Sequence, residues 1–166
     1  MPSLANSSAA ADRPAPADGA TCLQIHAGEG LPLPRSLARL IDPIAAAVHD
    51  RTDMTGLVAL RLTDDAEMAR LNGAFAGKPR ATDVLAFPSG DLDCPGDVAI
   101  SLERVRSQAL AFGHGIEREF GYLLTHALLH LAGFGHDDDA EQRQMRRVEE
   151  SIMTAVGLVR DHKPAR

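Results

Sequence analysis

Apolar residues recur at helical spacing from Ile116 to about Ala132, where Phe120, Leu123, Leu124, Ala127, Leu128 and Leu131 fall on one face. Gly133 and Gly135 stop that pattern, because glycine tolerates the left-handed backbone of a helix C-terminus. A last helix is predicted from about Asp138 to Val156, ahead of Gly157. Upstream, Thr21 to Ala27 has a strand-like pattern, and after a Gly/Pro-rich turn a helix begins near Ser36. Pro43 within it predicts either a kink or a fresh start capped by Asp42, since proline lacks the N–H an interior turn needs. Leu57 to Leu62 reads as a strand, and Thr63 as the N-cap of a short helix with Asp64, Asp65 and Glu67 in its first turn, where acids suit the helix dipole. Val84–Phe87 and Val98–Ile100 are apolar runs of strand size bounded by Pro and Gly, and Ser101 caps a helix ending before Gly113. Strands in the first two thirds, with helices between and after them, predict an α+β domain: a small mixed β-sheet packed against several helices.

Composition narrows this picture. The chain has 166 residues, a length that favours one domain. Residues 1–20 are dominated by Ala, Ser and Pro, with Met1 and Leu4 as the bulky apolar side chains. Such a segment buries too little surface to offset its ordering entropy and is predicted to be a disordered tail, leaving residues 21–164 as a single domain. The net charge of −6 argues against a histone-like coat, because indiscriminate phosphate binding needs a cationic surface. Cys22 and Cys94 form no CxxC, so they read as reduced thiols rather than a disulfide framework or zinc knuckle. No apolar run is long enough for a membrane span and no secretory signal opens the chain, so a cytoplasmic location with no membrane partner is expected.

The candidate chemistry is concentrated in Thr125–His136. His126 and His130 stand four apart on a predicted helix, about 40° apart around an axis of 3.6 residues per turn, so both imidazoles can face one ion. Gly133 lets the backbone reverse, and His136 can swing back to the same point. The metal-binding group is thus placed at the end of the central helix. Three neutral imidazoles leave a tetrahedral ion one open position for a water, the arrangement of a catalytic rather than a structural zinc. A lone histidine is more often packed or solvated, and that plain reading is assigned to His26, His49, His114 and His162. HxxxHxxGxxH is also similar to the long zinc motif of metzincin proteases, but their glutamate general base corresponds to Ala127, which cannot take a proton. Peptidase chemistry of that type is therefore disfavoured.

His-Ala-Leu-Leu-His-Leu-Ala-Gly-Phe-Gly-His over 126–136 resembles the H-G-x-L-H-L-x-G-Y-D-H signature of the bacterial YbeY family of metal-dependent endoribonucleases, also called rRNA maturation factors. Leu71-Asn72 with Thr82–Pro88, Gly96–Ser101, and Glu141, Met145 and Glu149 resemble three further blocks of that family, in order, over roughly residues 55–155. The departures are Ala127 for glycine, Phe134-Gly135 for Tyr-Asp, Ala86 for serine, and Ala76 where the family usually has an arginine that contacts RNA. The resemblance implies a single-strand endoribonuclease acting in rRNA maturation and ribosome quality control, with one Zn²⁺ per chain and with ribosomal RNA and the small ribosomal subunit as partners. The nitrogen ligands themselves accept Ni or Cu as well as Zn.

Residues 70–83 carry Arg70, Lys78 and Arg80 against Asp83, a local net of +2 in an acidic chain. They read either as a solvated loop or as a phosphate clamp opposite the ion, where cations stabilise charge building on a phosphodiester. Lys78 and Arg80 could replace the charge missing at Ala76. Asp137, Asp138 and Asp139 read as the first turn of the last helix, with one of them a candidate acceptor for a ligand imidazole. Two other functions stay open at this level: a zinc-stabilised, non-catalytic ribosome-binding factor, and a metallohydrolase of another substrate such as an amide. A chain starting at Thr21 is expected to keep the melting temperature and metal content of the full protein; a large loss of either by thermal denaturation or elemental analysis would make the tail part of the fold.

Overall fold

The computed structural model describes residues 22–28 and 30–160. The tail predicted over residues 1–20, and the predicted domain's ends at Thr21 and beyond Arg160, lie outside them. Four strands, β1 (Leu23–Ala27), β2 (Gly56–Thr63), β3 (Val84–Pro88) and β4 (Gly96–Ser101), form one mixed sheet in the order β1-β2-β4-β3. β1, β2 and β4 are parallel, and β3 closes the edge antiparallel to β4, pairing Val84 with Ile100 and Pro88 with Gly96. Five helices complete the fold: α1 (Arg35–Thr52), α2 (Asp65–Ala76), α3 (Leu102–Phe112), α4 (Ile116–Leu131) and α5 (Asp139–Ala155). The α+β architecture expected from the order of elements is the one observed. Among the described residues no helix is long and apolar enough to cross a membrane.

The period-2 alternation of the strands divides the core in two. Val58, Leu60, Leu62, Val98 and Ile100 face the main core, against Leu37, Ile41, Ile44 and Val48 of α1 and Phe120, Leu124 and Leu128 of α4. Ala99 points the other way and meets Met68 and Leu71 of α2, with Phe75, Leu85 and Phe87 beside them. The Phe75 and Phe87 rings lie 4.9 Å apart. α4 is buried along most of its circumference, including Phe120, Leu123, Leu124, Ala127, Leu128 and Leu129. Its N-cap, Gly115, supplies no side-chain bond. Full burial of one such side chain stabilises by about 1.5–3 kcal/mol, against about 1 kcal/mol for a cap, so packing rather than capping holds this helix in place.

Several local expectations need correcting. Pro43 neither restarts α1 nor makes Asp42 a cap; the helix runs unbroken and begins at Arg35. Pro43 and Arg39, whose carbonyl loses its donor, are both exposed, so solvent can satisfy the carbonyl. The N-cap of α2 is Asp64, which accepts from the Glu67 N–H at 2.8 Å. Thr63 instead ends β2, with its hydroxyl turned toward the Ile100 carbonyl at 3.4 Å. Gly133 does have positive φ, at 96°, but Gly135 does not. Gly135 sits against the Glu141 carboxylate: a Cβ there would lie 2.7 Å from Oε2, the mobile tip of an exposed side chain that would have to shift.

Ser101 caps α3 as expected, accepting from the Arg104 N–H at 3.3 Å, and also donates to Asp65 Oδ1 at 2.8 Å. It thereby joins β4, α3 and the first turn of α2 while fully buried. Ser101→Ala is expected to lower the unfolding free energy by about 1–2 kcal/mol in a urea titration, the range for a lost cap plus a buried hydrogen bond.

Candidate metal centre

The last two turns of α4 carry His126 and His130 on the edge of the helix that the core leaves uncovered, and both are half-buried. Their Nε2 atoms converge to 3.1 Å, with the rings nearly perpendicular at 84°. Beyond the helix, Gly133 turns the chain and exposed His136 returns, its ring 4.9 Å from that of His130 and 6.1 Å from that of His126. One nitrogen from each of the three lies within 4.8 Å of the others. The structure therefore brings together all three histidines that the spacing singled out.

A zinc ion about 2.0–2.1 Å from each of three tetrahedrally placed nitrogens needs N···N separations of about 3.3–3.4 Å. The His126–His130 pair already stands near that value, and the third nitrogen, on a short loop, is within reach of it. The outward hydrogen bonds fit as well. His126 Nδ1 lies 2.5 Å from Glu149 Oε1, and His130 Nδ1 lies 3.0 Å from the Phe134 carbonyl. Each acceptor receives a hydrogen bond from Nδ1–H, which leaves the Nε2 lone pair aimed inward. Burial, together with the neighbouring His126 and His136, holds His130 below the usual histidine range, which favours the neutral form that a metal needs.

Glu149 is the functional residue that the sequence marks only as part of a motif. It is 2% exposed on α5, among Met145, Ile152 and Met153. A carboxylate on the apolar face of an otherwise charged helix was the available signal. His126 takes its acceptor from Glu149 and His130 from Phe134 rather than from Asp137–Asp139: Asp138 caps α5 through the Glu141 N–H at 2.8 Å, Asp139 lies in its first turn, and all three are exposed. Glu141 in turn reaches back to the Asp137 N–H at 3.1 Å and lies against Gly135, fastening the segment that carries His136. Tyr122, one turn before His126, stacks on it at 6.0 Å. Burial and the Glu149 charge push its hydroxyl up to about 12, so it stays protonated at neutral pH.

The cationic candidates are more dispersed. Arg70 is held by Glu67 through two bonds of 2.7 Å, and Glu67 also pairs with Arg61 at 2.9 Å. Lys78 and Arg80 are exposed between α2 and β3, with no ion pair among the described residues. The end of α2 and the end of α4 lie at the same end of β3. Phe75 packs on Phe87, while Leu131 lies so near Gly96, the partner of Pro88, that a Cβ there would stand 2.8 Å away. Of the other histidines, His49 bonds the Met54 carbonyl at 3.0 Å, His114 pairs with Glu119 at 3.1 Å and His26 is exposed, while His162 lies outside the described residues.

Residues 32–157 match the sequence model of the family described as Endoribonuclease YbeY. The chain is 41% identical over 139 residues to the Endoribonuclease YbeY of Desulfitobacterium hafniense (strain Y51), covering 75% of this chain and 88% of that protein. To the Endoribonuclease YbeY of Roseiflexus sp. (strain RS-1) it is 42% identical over 116 residues, covering 63% and 72% respectively. The fold is similar to the solution structure of TM1509 from Thermotoga maritima, with a TM-score of 0.56 at 22% identity, over 87% of this chain and 99% of that one.

Glu149→Gln keeps the shape but weakens the acceptor, and is expected to lower metal affinity about 10–100-fold in a chelator competition, as loss of an outer partner typically does. An unchanged affinity would remove Glu149 from the centre.

Proposed function

Because this chain belongs to the YbeY endoribonuclease family, we propose that it is a metal-dependent endoribonuclease that hydrolyses phosphodiester bonds of single-stranded RNA, in rRNA maturation and ribosome quality control. His126, His130 and His136 would hold one Zn²⁺ ion per chain. The observation that carries the reading is the convergence of three imidazole nitrogens within 4.8 Å on a chain whose relatives are named as endoribonucleases. Bound there, a divalent ion supplies Lewis acidity to a phosphodiester oxygen and to water.

The chain's own groups do the rest. Glu149 and the Phe134 carbonyl keep protons at the Nδ1 atoms of His126 and His130, so that both rings present Nε2. Buried Ala127 offers no base at the position after the first histidine, which disfavours peptidase chemistry. Lys78 and Arg80 take the phosphates of the bound strand, supported by their exposure and by the shared end of β3; Arg70 would first have to leave Glu67. The partners are ribosomal RNA and the small ribosomal subunit, encountered in the cytoplasm. Ala76, exposed at the end of α2, favours a second reading in which the protein binds the ribosome without cutting RNA.

The test incubates metal-loaded protein with ribosomal RNA and, separately, with a peptide library. RNA cleavage that disappears in His130→Ala supports the proposal; RNA binding without cleavage supports the binding factor; peptide cleavage overturns both. In a salt titration, the Lys78→Ala, Arg80→Ala double variant should bind RNA more weakly, with the slope of log K against log salt reduced by roughly 1.4, about 0.7 per phosphate contact on a single strand. An unchanged slope would remove the pair from the interface.

A further inference from the structure

A cavity of about 510 Å³ opens at the N-terminal half of α4, on the same helix as the histidine cluster. Arg118, Tyr122, His126 and His130 follow one another at intervals of four along α4, so they form one line on its surface. The first two line the cavity, the last two belong to the metal centre, and the Tyr122–His126 stack joins the two regions. Eight residues at 1.5 Å each place Arg118 about 12 Å along the axis from His126, the reach of a nucleotide or two.

Among the described residues, the ion pair that Arg118 makes is a long one, to Glu150 of α5. Arg118 is 7% exposed, and its Nε and Nη2 atoms are buried without a hydrogen-bond partner. The nearest carboxylate, Glu150, stands 3.6 Å from Nη2, beyond hydrogen-bond range. Arg160 lines the cavity as well. Bare phosphate alone does not account for the remaining lining, which includes the carboxylates of Asp83 and Glu119. Asp83 accepts from the Val84 N–H at 2.8 Å and the Thr82 hydroxyl at 3.4 Å on Oδ1 and from Gln108 at 3.1 Å on Oδ2, and Glu119 pairs with His114 at 3.1 Å, which leaves acceptor capacity on Asp83 Oδ2 and on Glu119. At the rim, the Phe112 ring is 68% exposed and stacks on His114 at 6.0 Å and 27°. Donors for an anion, acceptors for amino groups and an exposed aromatic face match the phosphate, base edge and base plane of a nucleotide.

We infer that this cavity is a nucleotide subsite, in which the RNA nucleotide flanking the cleaved bond places its base against Phe112 and its phosphate on Arg118 and Arg160. The inference rests on the endoribonuclease reading. Its test compares wild type with a Phe112→Ala, Arg160→Ala double variant, two exposed positions whose loss leaves the core intact. Steady-state cleavage is measured on a short single-stranded RNA, with adenosine monophosphate and inorganic phosphate as competitors. The double variant should show a KM raised about tenfold or more, the usual effect of losing a base stack, with kcat within about twofold and metal content unchanged. Adenosine monophosphate should inhibit wild type better than phosphate does, and lose that advantage in the variant. An unchanged KM overturns the subsite and assigns the exposed Phe112 to a protein contact, while RNA cleavage itself still stands. A wild-type protein that cleaves no RNA overturns the endoribonuclease reading and the subsite together.

Discussion

A helix surrounded by protein must collect its polar groups along whatever edge is left, and α4 is such a helix. α1, α3, α5, β3 and β4 all pack against it. Phe120, Leu124, Leu128 and Leu129 are fully buried around it. The edge that stays accessible carries Tyr122, His126 and His130, with buried Arg118 at its start. The same burial that holds α4 therefore fixes the direction in which the two helical imidazoles point. Rigid placement matters for metal sites because a ligand set held by packed elements spends no binding energy on being ordered.

The outer contacts of the histidines follow the same logic. A carboxylate as buried as Glu149 must be paired, since an isolated charge in that surrounding would be strongly disfavoured. Its partner is the Nδ1 of His126, so the requirement for pairing also selects the tautomer. α5 brings in Glu149 from its second half and Glu141 from near its start. One helix thus orients His126 directly and steadies His136 through the Gly135–Asp137 segment.

Where sequence patterns were informative, a short-range rule governed the outcome. The i, i+4 histidines, the glycine turn at Gly133 and the Ser101 cap each depend on neighbours within a few positions, and all three stand as expected. The misreadings share another cause. Thr63 and Asp64 are both good caps, and the choice fell to Asp64 because sheet pairing with Ser101 holds Thr63 in β2. Pro43 is tolerated because Arg39 beside it faces solvent, a property of the tertiary surface rather than of the local sequence. Glu149 reaches His126 across 23 positions, and only packing of α5 on α4 brings them together. The cationic segment lacked any comparable local rule, since Arg70 could choose between solvent and Glu67.

The line formed by Arg118, Tyr122, His126 and His130 has a consequence for how this protein can change over time. Inserting or deleting one residue within α4 rotates everything beyond it by 100°. A slip between Arg118 and His126 would turn one end of the line into the core while leaving the other in place. Length variation is therefore closed to this helix, whereas the turn between β3 and β4, with its exposed Leu92, is free of that geometric phase. Among relatives, gaps and insertions should accumulate in such turns, and α4 should drift only by exchange of one side chain for another.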